Sequence, residues 1–225
     1  MKELLQEISD MIVRGRIDAQ APYPPDMAGQ PGVKERVDEA LAQGLEPTRI
    51  IRESLIPGME IVGKKFTDGE YFLPDMLMSA QAMKAGMAIL EPLLTGDKSS
   101  MRGTVILGTV KGDMHDIGKN LVGVMLEGGG FKVYDLGIDV PVERFVEMAV
   151  QYPDAVVGMS ALLTTTRGNM CEVAEAIRLK GLANKVIIGG AAVGRAFANE
   201  IQADGFSHNA TEVVPMVTNL LGIQG

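Results

Sequence analysis

Residues 104–118 read TVILGTVKGDMHDIG. The run TVILGTV is uncharged and rich in Val, Ile and Thr, the composition of a strand buried on both faces. A polar loop with glycines at 112 and 118 follows, and a helical pattern begins near Ile117. The same unit recurs toward the end of the chain. KVYDLG (132–137), AVVGMS (155–160), KVIIGG (185–190) and a weaker DGFSHNA (204–210) read as strands. Helices between them begin near Val142, Gly168, Val193 and Glu212. Five strands alternating with five helices imply βαβ units, a parallel sheet and right-handed crossovers.

For residues 103–225 the economical arrangement is a flavodoxin-like (Rossmann-type) α/β fold, a doubly wound sheet of strand order 2-1-3-4-5. Residues 1–96 read instead as a four-helix bundle cap. MKELLQEISDMIV sets Leu4, Leu5, Ile8, Met11 and Ile12 on one helical stripe. A Pro-rich loop occupies 18–32, with Pro22, Pro24, Pro25 and Pro31. A short helix then ends at Gly44, where left-handed backbone is favoured. The next runs from Pro47 and is expected to break near Pro57–Gly58, and the last carries Pro74 in its first turn. The polar segment 97–102 is expected to link the two domains.

Composition excludes several classes of function. The chain has 225 residues and a net charge of −8, without a Lys/Arg cluster, so nucleic acid is a poor partner. No apolar stretch is long enough to cross a membrane, and MKELLQEISD lacks the pattern of a signal peptide. A single Cys, Cys171, fits a reducing cytoplasm. Two histidines, His115 and His208, cannot supply an ordinary zinc site. A transition metal here would have to arrive with most of its ligands, as a macrocyclic cofactor does.

In an open parallel sheet, ligands bind beyond the carboxyl ends of the strands, at the switch point between the first and third. That rule selects KGDMHDIGKN after the first strand and SALLTTTRGN after the third. The first loop places His115 between Asp113 and Asp116. A metal-bound imidazole usually donates its other N–H to a carboxylate, and Asp113-x-His115 can supply both groups. The plainer reading of the two aspartates is that they cap the helix starting at Ile117. After the fourth strand, GGAAVG (189–194) offers backbone that a bulky ligand can approach closely.

These loops together resemble a known signature. Asp113-x-His115-x-x-Gly118 is followed, after residues 119–159, by Ser160-Ala161-Leu162, and after residues 163–188 by Gly189-Gly190. The set is similar to the cobalamin-binding motif D-x-H-x-x-G … S-x-L … G-G. The segment LIPGMEIVGKKFTDGEYFLPDMLMSAQAMKAGMAILEP (55–92) resembles the helical cap of methionine synthase and of the corrinoid methyl carriers in anaerobic methyltransferase systems. The resemblance runs from about residue 33 to the end, while 18–32 is longer and richer in Pro than the family leads one to expect, and its role is open.

The resemblance implies cobalamin, or a related corrinoid, bound base-off with His115 as the cobalt ligand. Asp113 and Thr166 complete a hydrogen-bonded triad with it, Thr166 standing where methionine synthase has Ser. Gly112, Met114, Asp116, Ile117 and Gly118 surround the ligand. Ser160, Leu162 and Thr164 match contacts to the nucleotide tail. Gly189, Gly190 and Ala191 match the wall of its tunnel, and Phe206 and Ala210 flank it. Phe66, Leu73 and Met76 match residues over the upper corrin face, and Glu53 reaches either the corrin amides or solvent. The resemblance further implies a methyl-carrying subunit that is not catalytic alone. A barrel of about 250 residues does not fit here, so the partners are a barrel-type donor methyltransferase, an acceptor methyltransferase and a reductive activator. Methanol, methylamines, glycine betaine and methoxylated aromatics all remain open as donors. The alternatives are the cobalamin subunit of a radical isomerase, a cobalamin-sensing module, and a plain receiver-type domain.

Overall fold

A computed structural model describes residues 1–93 and 101–223. The expected linker residues 97–100, and 94–96 of the expected cap, lie outside the described residues. The chain divides into two compact units, Met1–Met101 with Gly128–Gly130, and Arg102–Glu127 with Phe131–Gly225.

The first unit is helical. Its helices are α1 (Lys2–Val13), α2 (Val33–Ala42), α3 (Pro47–Ile50), α4 (Ile56–Thr67) and α5 (Leu73–Leu90). In α1 the buried side is Leu4, Leu5, Ile8, Ser9 and Ile12. Met11, expected on that stripe, is only half-buried, and Ser9 takes a buried place instead. The reason lies in α4. A Cβ added at Gly58 would meet Ile12 Cβ at 2.8 Å and Ser9 O at 3.0 Å, so the two helices approach where only small groups fit. The expected break at Pro57–Gly58 does not occur. The chain stays helical from Pro47 to Thr67, with a π-helical turn at Ile51–Leu55 in which Ile56 N–H bonds to Ile51 O. Proline cannot donate to the carbonyl four residues earlier, and a wider turn just before it absorbs the mismatch without stopping the helix.

The Pro-rich loop is organised by Arg16, which is fully buried. Its guanidinium donates to Ala21 O at 2.6 Å, Tyr23 O at 3.2 Å, Ala19 O at 3.3 Å and Gln30 O at 2.8 Å. Glu35 closes the loop by accepting the Ala19 and Gly32 N–H groups at 3.0 and 2.8 Å. Arg16→Met removes donors from several carbonyls at once. It is expected to lower stability by about 2–3 kcal/mol, read by urea unfolding, and to open 18–32 to limited proteolysis.

The second unit is the expected parallel sheet, of order β2-β1-β3-β4-β5. Its strands are β1 (Gly103–Thr109), β2 (Phe131–Asp135), β3 (Val156–Ser160), β4 (Val186–Gly189) and β5 (Gly205–Ser207). The helices are α6 (Ile117–Gly128), α7 (Val142–Gln151), α8 (Gly168–Leu179), α9 (Arg195–Glu200) and α10 (Val213–Leu220). Val105–Val110 and Val156–Met159 are buried, as central parallel strands require. The register aligns Thr109 with Ser160, Ser160 with Gly189, and Gly189 with Ser207. One row of strand ends therefore carries the loops singled out above.

Candidate functional site

Asp113 is the centre of the site. It follows β1, has no exposed surface, and its carboxylate accepts five hydrogen bonds. Oδ1 takes the His115 backbone N–H at 3.1 Å and lies 2.7 Å from His115 Nδ1. Oδ2 takes the Leu162 and Leu163 N–H groups at 2.8 and 3.2 Å and the Thr166 hydroxyl at 2.7 Å. Burial alone would raise its pKa. The bonds from Thr166, from the His115 ring and backbone, and from Leu162 outweigh that and hold the carboxyl well below the usual carboxylate range. Asp113 therefore does not cap α6; it ties the first loop to the loop after β3.

Thr166 is buried, and its Oγ1 also lies 3.0 Å from Leu163 O. A hydroxyl has one proton, and the shorter bond to an anion is the stronger claim on it. The Thr166 methyl lies beside Gly112: a Cβ there would be 3.4 Å from Thr166 Cγ2, so the loop passes close by. Gly112 itself has φ +79°, a conformation suited to glycine.

His115 has a side chain half exposed, at 50%. With Nδ1 engaged by the carboxylate, Nε2 is the ring nitrogen left to meet a metal. Its carbonyl accepts the hydroxyl of Thr109, a fully buried residue, at 2.9 Å. Exposed apolar side chains stand on its loop and on the neighbouring ones. Met114 is 65% and Ile117 73% exposed, with Ile138, Leu162 and Leu163 also exposed at the carboxyl edge of the sheet. Asp116 and Gly118 are exposed on the same loop. Among the described residues no group of three His, Cys, Asp or Glu is placed to hold a metal ion. A single imidazole on an apolar shelf fits a metal that brings its equatorial ligands with it.

The remaining predicted residues fall into two groups. Ser160, Gly189, Gly190 and Ala191 lie on adjacent strand ends and their loops. Gly190 has φ +114°, and a Cβ there would meet Ala161 O at 2.1 Å, so this close approach admits only glycine. Thr164 is exposed on the loop after β3. Phe206 and Ala210 flank the end of β5, where Phe206 meets the His208 ring at 5.4 Å and the Arg195 guanidinium at 5.3 Å. The second group belongs to the helical unit. Met76 is fully buried, Phe66 and Leu73 are half-buried, and exposed Glu53 pairs with Arg49 at 2.9 Å.

The motif did not point to Asp139, which lies in the loop after β2. Its Oδ1 accepts Gly112 N–H at 2.7 Å and its N–H bonds to Asp113 O at 3.1 Å. Asp is among the residues that tolerate its φ of +53°, but no spacing rule connects it to the first loop. Thr109, Lys119 and Asp135 likewise lie outside the D-x-H-x-x-G positions.

Comparison with known proteins adds the following. A family described as the B12 binding domain matches residues 103–215, and a second of the same description matches residues 30–91. The chain is 40% identical over 223 residues to the dimethylamine corrinoid protein of Methanosarcina barkeri, covering 98% of each. It is 38% identical over 224 residues to a corrinoid protein of Desulfitobacterium hafniense, covering 97% of this chain and 98% of that protein. Among solved structures it resembles the methanol:cobalamin methyltransferase complex MtaBC from Methanosarcina barkeri. The TM-score is 0.84 at 28% identity, over 99% of this chain and 81% of that one.

Proposed function

Because the chain belongs to the B12-binding corrinoid proteins, a family of cobalamin-binding proteins of methyltransferase systems, we propose that it carries methyl groups on a corrinoid held base-off through His115. The observation that carries this reading is the pairing of His115 Nδ1 with the buried, anionic Asp113. When bound, the corrinoid supplies a cobalt that accepts and releases a methyl group. The protein's own residues do the rest. Asp113 fixes the imidazole tautomer and orientation, and Thr166 and the Leu162 and Leu163 amides hold Asp113 in place.

The reading extends to the other predicted residues. Met114, Ile117 and Leu162 form the apolar shelf that keeps water from the lower corrin face. Ser160, Thr164, Gly189, Gly190, Ala191, Phe206 and Ala210 take the nucleotide tail. Residues 1–96 act as a cap over the upper face through Phe66, Leu73 and Glu53, supported by Met76, which is fully buried in the core, with 97–102 as the linker to the cobalamin domain at 103–225. The partners are a methyltransferase that loads the carrier, a second that unloads it, and a reductive activator. The relatives' names, dimethylamine corrinoid protein among them, favour a small methylated amine as the ultimate donor over the radical isomerase and sensor readings. No described helix is long and apolar enough to cross a membrane. We place the protein in the cytoplasm, where a lone thiol such as Cys171 stays reduced.

The test is the electron spin resonance spectrum of the Co(II) form. Protein grown on ¹⁵N and loaded with unlabelled cobalamin should show each cobalt line split into a doublet by the axial imidazole nitrogen. Triplets from the unlabelled benzimidazole would overturn base-off, His-on binding.

A further inference from the structure

A lysine in the first turn of a helix opposes the helix dipole and normally extends into water. Lys119 does not extend into water. Its side chain is 1% exposed, although α6 begins only two residues before it. Its ammonium donates to Asp135 Oδ2 at 2.5 Å and to Asn120 Oδ1 at 2.7 Å. Burying an ammonium is costly unless it is paired, so the position calls for a reason.

The reason is visible in what the pair connects. The other oxygen of Asp135 accepts Gly137 N–H at 2.9 Å. Gly137 O accepts Thr109 N–H at 3.0 Å. Thr109 Oγ1 donates to His115 O at 2.9 Å. The chain itself runs the four positions from His115 to Lys119 and closes the ring. A second arm returns through Asn120, whose amide donates to Asp116 Oδ2 at 3.1 Å. His115 is thus clamped twice. Asp113 holds its imidazole and its N–H; the Lys119–Asp135 ring holds its carbonyl and the backbone that follows.

We propose that Lys119 and Asp135 are positioning residues for His115, setting the backbone from which the imidazole reaches cobalt. This rests on the His-ligation reading above. Asp135 is 46% exposed, so it can hydrate when its partner is lost, which makes Lys119→Met the milder way to open the ring.

The experiment titrates apoprotein with diaquocobinamide, a corrinoid without a nucleotide base, so that only the protein can supply the lower imidazole. Affinity and visible spectrum are measured for wild type, K119M, K119R, H115A and the double variant K119M/H115A. K119M should weaken binding about tenfold, the loss typical of residues that orient a metal ligand. It should add almost nothing in the H115A background, and K119R should recover most of the affinity. An equal loss from K119M in both backgrounds would overturn the proposal, since Lys119 would then act on the fold or on the corrin rather than through His115. If H115A alone left affinity and spectrum unchanged, the ligation reading would fail first, and that result is distinct. Should K119M not fold, Thr109→Val, which cuts the same ring at the hydroxyl bond to His115 O and leaves the ammonium paired, enters the same cycle with the same two outcomes.

Discussion

Asp113→Ala lowers the stability of the cofactor-free protein by about 4 kcal/mol, measured as a shift in the urea unfolding midpoint. Three donors from the loop after β3 converge on one carboxylate oxygen, and two from His115 on the other. Truncation strands all of them. A buried donor left without a partner costs about 1–3 kcal/mol, and part of this is recovered because Leu162, Leu163 and His115 border solvent. The sum resembles the cost of breaking a buried ionic contact, about 3–5 kcal/mol. The same carboxylate makes stability depend on pH. Its proton affinity is depressed in the folded state, whereas the unfolded chain binds that proton near pH ~4. Above that range the contribution is complete. As pH falls below it, the unfolded state takes up a proton that the folded state refuses, and stability drops by up to about 1.4 kcal/mol per pH unit. Asp113→Asn should flatten this acid limb by about one proton, seen in unfolding midpoints between about pH 6 and 3.

The contrast between Asp113 and Lys119 shows what the sequence made legible. Strand runs, helix starts and strand order follow from hydrophobic runs and turn residues, which are local signals, and the structure has them in the expected places and in the order 2-1-3-4-5. The site's location follows from topology, and Asp113 and His115 are two residues apart, so spacing exposes them. Thr166 was reached only through the family resemblance. Asp135 and Asp139 are not legible at all, because they enter from the end of β2 and the loop after it and nothing in their own neighbourhood marks them. The same logic holds in the helical unit. Gly58 reads locally as a helix breaker, yet its role is to let α4 approach Ile12 of α1. Arg16 belongs to no motif or hydrophobic stripe, yet it gathers the carbonyls of the Pro-rich loop. Long-range hydrogen bonds by single polar side chains leave no periodicity to read.

His115→Ala separates ligation from folding. Its side chain is half exposed, and its removal deletes one of five bonds to Asp113 while the backbone N–H of residue 115 remains. The expected cost in stability is about 1 kcal/mol or less. Binding responds quite differently. Without the imidazole, the depression of Asp113 serves no ligand, and the apolar shelf of Met114, Ile117 and Leu162 holds the corrin by area alone. Affinity for cobalamin should fall by at least about tenfold, and the doublet splitting of the ¹⁵N-labelled Co(II) form should vanish. Asp113→Ala, by comparison, should lose both stability and affinity. If His115→Ala retained the nitrogen coupling and wild-type affinity, another group would be the axial ligand, and the Asp113–His115 pair would be only a loop brace. The two variants together therefore distinguish a carboxylate that holds a loop from one that presents a ligand, which one variant alone cannot do.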